Sequence, residues 1–322
     1  MGTLRDLSVS EQVALLFVVL FGVLMVATAV AITRSVRELK PEQQERLAVF
    51  VRDLRAIWLG AVLFWVAWIA GALVSTLLFG VLSFLALREF VTLTHTRRGD
   101  HRSLLLAFFV VLPLQYVLVG QRLFDLFTVF IPVYVFLAIP VISALGNDPQ
   151  RFLERTAKIQ WGIMVSVYGM SHAPALLLLN VPDHEERGAF LVLFLVAVVA
   201  TAQITQETVS RRLRNRPAAR AISRSFSWRG WSIGVAAAAL LGAMLYWATP
   251  FKPVPALLLG ALAGGSGTLG ELVMKALKRD AGVRNWGGKA SVTGAVGLLD
   301  RVASLCFAAP VFFHAVRWHF GW

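Results

Sequence analysis

Ionic residues are scarce in this chain. Only 15% of its 322 residues are Asp, Glu, Lys or Arg, whereas 57% are hydrophobic, and the mean hydropathy is +0.70. Ordinary soluble domains carry about 25% charged residues, so that class is excluded and the chain reads as a membrane protein. Cysteine is nearly absent: Cys306 stands alone in an apolar stretch. That excludes an internal disulfide and any cysteine-based zinc cluster, and it leaves the redox compartment undetermined. Acidic side chains are the scarcer sign, 18 against 31 Lys+Arg, for a formal net charge of +13. In a soluble protein this excess would suggest nucleic acid; in a membrane protein it must first be tested against loop topology. No internal repeat, low-complexity tract or separate soluble domain is visible, and at about 20 residues per span the chain has room for about a dozen crossings at most.

Hydropathy predicts an all-α, polytopic integral membrane protein with about ten transmembrane helices. The first runs from Val13 to Ile32, too long for a signal-peptide core and without a small-residue cleavage site, so it is expected to stay as an anchor. A basic segment follows, with Pro41 placed to start an amphipathic surface helix. Residues 1–55 are therefore set apart as anchor plus surface segment, and 56–322 as the main membrane domain. The apolar run from Ala56 to Leu87 is 32 residues long, about 48 Å as one helix. That overshoots the bilayer, so two short spans turning near Gly71 are expected. Further spans are expected at about 104–119, 127–145, 159–179, 189–204, 232–248, 254–270 and 302–316. This topology puts 26 of the 31 basic residues on one side and leaves Arg5, Arg122, Arg187, Lys252 and Arg317 on the other. By the positive-inside rule the rich side is cytoplasmic, so most of the +13 is an orientation signal rather than a sign of nucleic-acid binding.

Two stretches on that side are long enough to build a site: Thr205 to Trp231, with seven arginines from Arg211 to Arg229, and Glu271 to Arg301. The arginines serve either as a topological anchor or as a holder of anionic lipid headgroups. Gly265 to Gly270 matches G-x-G-x-x-G, but an apolar helix precedes it where the dinucleotide fingerprint needs a strand, so that match is rejected. Gly260, Gly264, Gly265, Gly267 and Gly270 instead permit close helix packing or approach of backbone to a ligand. Glu271, at the membrane end of this glycine-rich helix, must be paired or on metal. Lys275 at i+4 offers the structural pairing. Asp300-Arg301 ends the same segment, so folding back could bring Asp300 to Glu271. His172, inside a span, is read as a neutral hydrogen-bonded core histidine ahead of a ligand.

Gly270-Glu-Leu-Val-Met-Lys-Ala-Leu-Lys-Arg-Asp-Ala-Gly-Val-Arg284 and Gly297-Leu-Leu-Asp-Arg-Val-Ala-Ser-Leu305 resemble the C-terminal signature of phosphatidate cytidylyltransferases, the CDP-diacylglycerol synthases. Leu87-Arg-Glu-Phe90 and the spans through Ser171-His-Ala173 resemble a synthase-like branch of that family found in some bacteria. The resemblance covers about Ala56 to Trp318. Several motif residues depart from the pattern: Phe226 and Arg229 replace a Lys and a Glu between Ser223 and Gly230, Gln203 stands for an Asp, and Asn285 and Ala303 each replace an Asp. Glu271 stands where Asp is usual, and the G-H-G-G loop has become Gly294-Ala-Val-Gly297.

The resemblance implies transfer of CMP from CTP to phosphatidate, or a related anionic lipid, giving CDP-diacylglycerol and pyrophosphate in phospholipid biosynthesis. It implies a multi-pass protein of the bacterial inner membrane with its site on the cytoplasmic face. Carried over by position, Glu271 and Asp300 are the catalytic carboxylates and ligands of Mg²⁺, while Ser223, Lys278, Arg279 and Arg301 meet phosphates. The lost carboxylates leave a two-metal site undersupplied, though one Mg²⁺ can be held by one or two carboxylates with waters and substrate phosphates. The alternative is a catalytically degenerate paralogue that binds anionic lipid or nucleotide, or partners an active membrane enzyme as a homo- or hetero-dimer.

Overall fold

The computed structural model describes residues 9–36, 41–94, 96–181, 188–213, 216–283 and 297–321. Consecutive helical turns read as single helices give α1 (Val9–Ser35), α2 (Pro41–Ile69), α3 (Gly71–Leu93), α4 (Arg98–Gly120), α5 (Phe124–Ala144), α6 (152–177), α7 (Gly188–Arg212), α8 (Trp228–Met244), α9 (Pro253–Asp280) and α10 (Leu298–Phe320). No strand occurs among the described residues. Of the expected motif positions, Arg284, Asn285, Lys289 and 294–296 lie outside the described residues.

The helix breaks follow from local chemistry. Gly71, with φ +81°, separates α2 from α3 in a conformation that L side chains rarely adopt, at the turn expected within the long apolar run. Pro41 opens α2, which continues through the basic segment into the apolar stretch 57–69 without interruption. Wide π-helical turns occur at Ala107–Val111, Phe130–Val135 and Met164–Gly169, the second enclosing Pro132. A proline inside a helix removes one backbone donor and clashes with the preceding turn, and a wide turn relieves both.

Seven of these helices are long and apolar enough to cross a membrane: residues 17–35 of α1, then α3, α4, α5, α7, α9 and α10. The other three expected spans are helical too but fall short by that measure. The stretch Ile57–Ile69 of α2 is a shorter apolar helix, and α8 has 17 residues. Helix α6 is long enough but carries Gln160, Ser166, Ser171 and His172. Ser166, Ser171 and His172 are fully buried, so protein rather than lipid surrounds them.

The chain separates into two compact units, Met1–Gly71 and Ala72–Trp322. In the first, α1 and α2 pack through Leu24, Ala31, Leu54 and Ala61, and the Trp58 indole N–H donates to Thr28 Oγ1 (3.0 Å). In the second, α9 packs against α7, α8 and α10. Small residues set that packing. A Cβ on Gly264 would lie 2.6 Å from Ala238 Cβ, one on Gly260 would lie 2.7 Å from Ala238 O, and one on Gly270 would overlap the Phe307 ring. Of the two uses left open for the glycines of α9, helix packing accounts for these three.

Candidate functional site

Helices α9 and α10 run antiparallel, so the C-terminal turns of one lie beside the first turns of the other. Rising numbers on α9 meet falling numbers on α10. At one level Glu271 Oε2 accepts from Gln203 Nε2 of α7 (2.7 Å), and the same amide nitrogen donates to Ser304 Oγ of α10. About two turns along α9, Lys278 Nζ pairs with Asp300 Oδ1. Lys275 Nζ reaches Glu271 Oε1 at 2.7 Å, the i,i+4 pairing that the spacing allowed. Folding back sets the two predicted carboxylates on the paired ends of α9 and α10 but about two turns apart along α9, each on its own partners and with no contact shown between them. Each carries a lysine of α9.

These pairs are only partly shielded. The side chains of Glu271 and Lys275 keep 27% and 29% of their surface, and those of Asp300 and Lys278 keep 26% and 16%. Pairs this open contribute about 0–1 kcal/mol each, so they are poor staples and readily exchanged. Beside Glu271 opens a cleft of about 190 Å³ lined by Gln203, Ile204, Gln206, Glu207, Glu271 and Lys275. Arg279 and Arg301 are exposed at the same end of the bundle, as are Arg211, Arg212 and Arg229.

The loop between α7 and α8 folds back on the end of α7. Gln206 Nε2 donates to Ser225 O (2.7 Å), Ser210 and Ser227 share a hydrogen bond (2.7 Å), and Ser227 Oγ caps α8 by accepting from Gly230 N–H (3.1 Å). Ser223 is not brought to the carboxylates by any contact shown. It is buried in this loop, its hydroxyl 3.4 Å from that of Ser225, while Arg220 and Arg224 point outward. Phe226, where the pattern has Lys, is buried as well.

Residues 50–319 match the cytidylyltransferase family. The chain belongs to that family. It is 37% identical over 268 residues to the uncharacterized protein YnbB of Escherichia coli K12, covering 81% of this chain and 85% of that one. It is also 30% identical over 137 residues to a phosphatidate cytidylyltransferase of Synechocystis sp., covering 42% of this chain and 46% of that one. The α7–α10 bundle, with its carboxylates and lysines, lies within the family match.

Cytidylyltransferase chemistry raises the question of metal, and the donor set can be tested for it. Mg²⁺ takes oxygen ligands, keeps several waters and is held through one or two carboxylates plus substrate phosphates. Glu271 and Asp300 each supply acceptor oxygens of the right kind, but they stand about two turns apart along α9 on different partners, so they do not converge on one ion in this arrangement. Among the described residues no group of three or more His, Cys, Asp or Glu converges, so a two-metal site lacks ligands there. Gln203 presents an amide nitrogen to Glu271, a donor at the position where the family's Asp would add an acceptor.

Sequence reasoning missed two carboxylates. Glu89 of α3 is 3% exposed and accepts hydrogen bonds from three backbone N–H groups at the start of α10; it was visible only as part of Leu87-Arg-Glu-Phe90. Asp100 forms a buried ion pair with Arg155 (2.9 Å), which also binds Asp148 (2.8 Å) and the Gln150 carbonyl (2.7 Å). Arg155 is among the basic residues assigned to the cytoplasmic side, and its burial has no signal in the neighbouring sequence. His172 fits the core reading through Nδ1, which lies 2.7 Å from Tyr168 O.

Proposed function

We propose that this protein is a CDP-diacylglycerol synthase-like nucleotidyltransferase that transfers CMP from CTP to phosphatidate, or a closely related anionic lipid, at the cytoplasmic face of a bacterial inner membrane. The observation that carries this reading is the gathering of Glu271, Lys275, Lys278 and Asp300 at the α9–α10 interface, beside a cleft and beneath exposed arginines.

In the reaction a phosphate oxygen of the lipid attacks the α-phosphate of CTP, and pyrophosphate leaves. Both partners are anionic, so the first task is to offset charge. Glu271 and Asp300 would each offer a carboxylate to Mg²⁺, held together with waters and substrate phosphates, and the ion would offset phosphate charge and polarise a phosphoryl oxygen. Lys275 and Lys278 now balance those same carboxylates. Lys278, with Arg279 and Arg301, would meet the nucleotide phosphates. Arg220 and Arg224 draw the lipid headgroup, since each basic residue near an anionic leaflet contributes about 1 kcal/mol. Ser223 acts through the fold of the loop that carries them.

A second reading has its own observation. Each carboxylate is already neutralised by a lysine, and Gln203 donates where the family's Asp would accept, which suits a protein that binds nucleotide or anionic lipid without turnover or that pairs with an active enzyme. Purified protein given labelled CTP, phosphatidate and Mg²⁺ separates the two. Labelled lipid formed by wild type and lost in both Glu271→Ala and Asp300→Ala establishes the transferase. Absence of product, with metal-independent lipid binding that survives Glu271→Ala, establishes the binding protein.

A further inference from the structure

We propose that Glu89 is a positioning residue for Asp300: by fastening the first turn of α10 to α3 it sets where the Asp300 carboxylate stands relative to Lys278. The inference rests on the role given to Asp300 above. Glu89 Oε2 accepts from the N–H groups of Gly297 (3.1 Å) and Leu298 (3.0 Å), and Oε1 accepts from that of Leu299 (3.4 Å). These are amides that the start of a helix leaves without intrahelical partners.

No side chain of α10 does this work. Its N-cap is Gly297, which has no side chain to accept and enters the helix at φ +78°. The usual solution is a Ser, Thr, Asp or Asn at the cap itself; here the acceptor arrives from a residue 208 positions earlier. Asp300 follows directly on the third donor, so any shift of this turn moves its carboxylate.

Packing reinforces the clamp. Ala86 and Phe90, flanking Glu89 on α3, share one buried cluster with Met274 of α9 and with Leu299 and Ala303 of α10. Side chains of all three helices thus meet in one apolar cluster beside the cap. Charge fits as well, because a carboxylate is favoured at the positive end of a helix dipole and has acceptor sites enough for all three donors. One consequence is chemical. The three amides held by Glu89 are not available to a substrate phosphate, which places more of that task on Lys278, Arg279 and Arg301.

The test uses the full chain in detergent or nanodiscs and compares Glu89→Ala, Glu89→Asp and Asp300→Asn, singly and combined. Displacing a reacting group by about 1 Å can reduce rate about 100-fold. Glu89→Ala is therefore expected to lower kcat for CMP transfer about 10–100-fold while KM for CTP stays within about twofold, and Glu89→Asp should recover part of the loss. Added to Asp300→Asn, Glu89→Ala should cost nothing further, because residues acting as a unit are non-additive. A multiplicative loss in the double variant, or a rise in KM that matches the fall in kcat, overturns the proposal. If wild type forms no labelled lipid, the transferase reading fails and amide exchange decides the inference alone. Faster exchange in Glu89→Ala confined to the peptide starting at Leu298 supports it, and unchanged exchange there sinks it.

Discussion

Two groups of ion pairs stand near the basic end of the bundle, and they differ in how deeply their central charge is buried. The Asp100–Arg155 pair is sealed: the Arg155 and Asp100 side chains keep 6% and 2% of their surface, and Arg155 also donates to two backbone carbonyls, while Asp148, its other partner, keeps 27%. The Glu271–Lys275 and Lys278–Asp300 pairs are partly open, and one of them borders a cleft. A buried charge is held in place because losing its partner strands it in a poor solvent. An open charge can exchange its partner for an ion or a phosphate at little cost. The contrast separates an ion pair that holds the fold from ion pairs that are available for chemistry, although both are built from the same residue types at helix ends.

The contrast breaks most visibly at Arg155. Arg155→Met leaves Asp100 buried and unpaired, and the expected loss is about 3–5 kcal/mol of stability, read as a lower thermal midpoint in detergent. Glu271→Ala and Asp300→Ala should do the reverse, with small changes in melting but a fall of about 10²–10³ in CMP transfer, read with labelled CTP. Equal melting losses for Arg155→Met and Asp300→Ala would erase the distinction between the two groups. A smaller effect is expected at Gly264→Leu, where a side chain is forced against Ala238 and Ala202; overpacking of this kind costs about 1–3 kcal/mol. Activity should fall only as far as folding does.

The smallest effect is the pH response of Glu154, at the start of α6. Its hydrogen bond and ion pair with Lys158, with Arg151 adding to them, hold its carboxyl below the ordinary carboxylate range. A depressed pKa stabilises the fold above the unfolded value, and that contribution is lost as pH falls through the folded value. Glu154→Gln should therefore melt slightly below wild type at neutral pH and together with it at strongly acid pH. A difference that persists in acid contradicts the pairing.

Much of the fold was legible because apolar runs and basic loops are local signals. Each of the ten expected helices is present, and the turn at Gly71 stands where the length of the apolar run required a break. The site was legible to the same extent. Glu271 and Asp300 could be singled out because an ionisable group at a membrane boundary needs a partner, and both have one. What escaped depended on contacts distant in sequence. Glu89 and Gly297 meet only after the chain has folded, and Arg155 in a basic loop gives no sign of burial by its neighbours in sequence. Ser223 matched a motif by spacing, and spacing carries no information about which way a loop folds.

Helix α6 has a consequence for how the protein sits in its membrane. A segment bearing Gln160, Ser166, Ser171 and His172 gains less from hydrocarbon than its neighbours do, because each polar side chain offsets part of what the apolar ones contribute. Such a helix enters a bilayer poorly by itself. Its polar groups are covered instead by protein, from α4, α5, α7 and α10 and through hydrogen bonds to Ser83 and Gln115, so its place in the membrane depends on those neighbours more than on its own hydropathy.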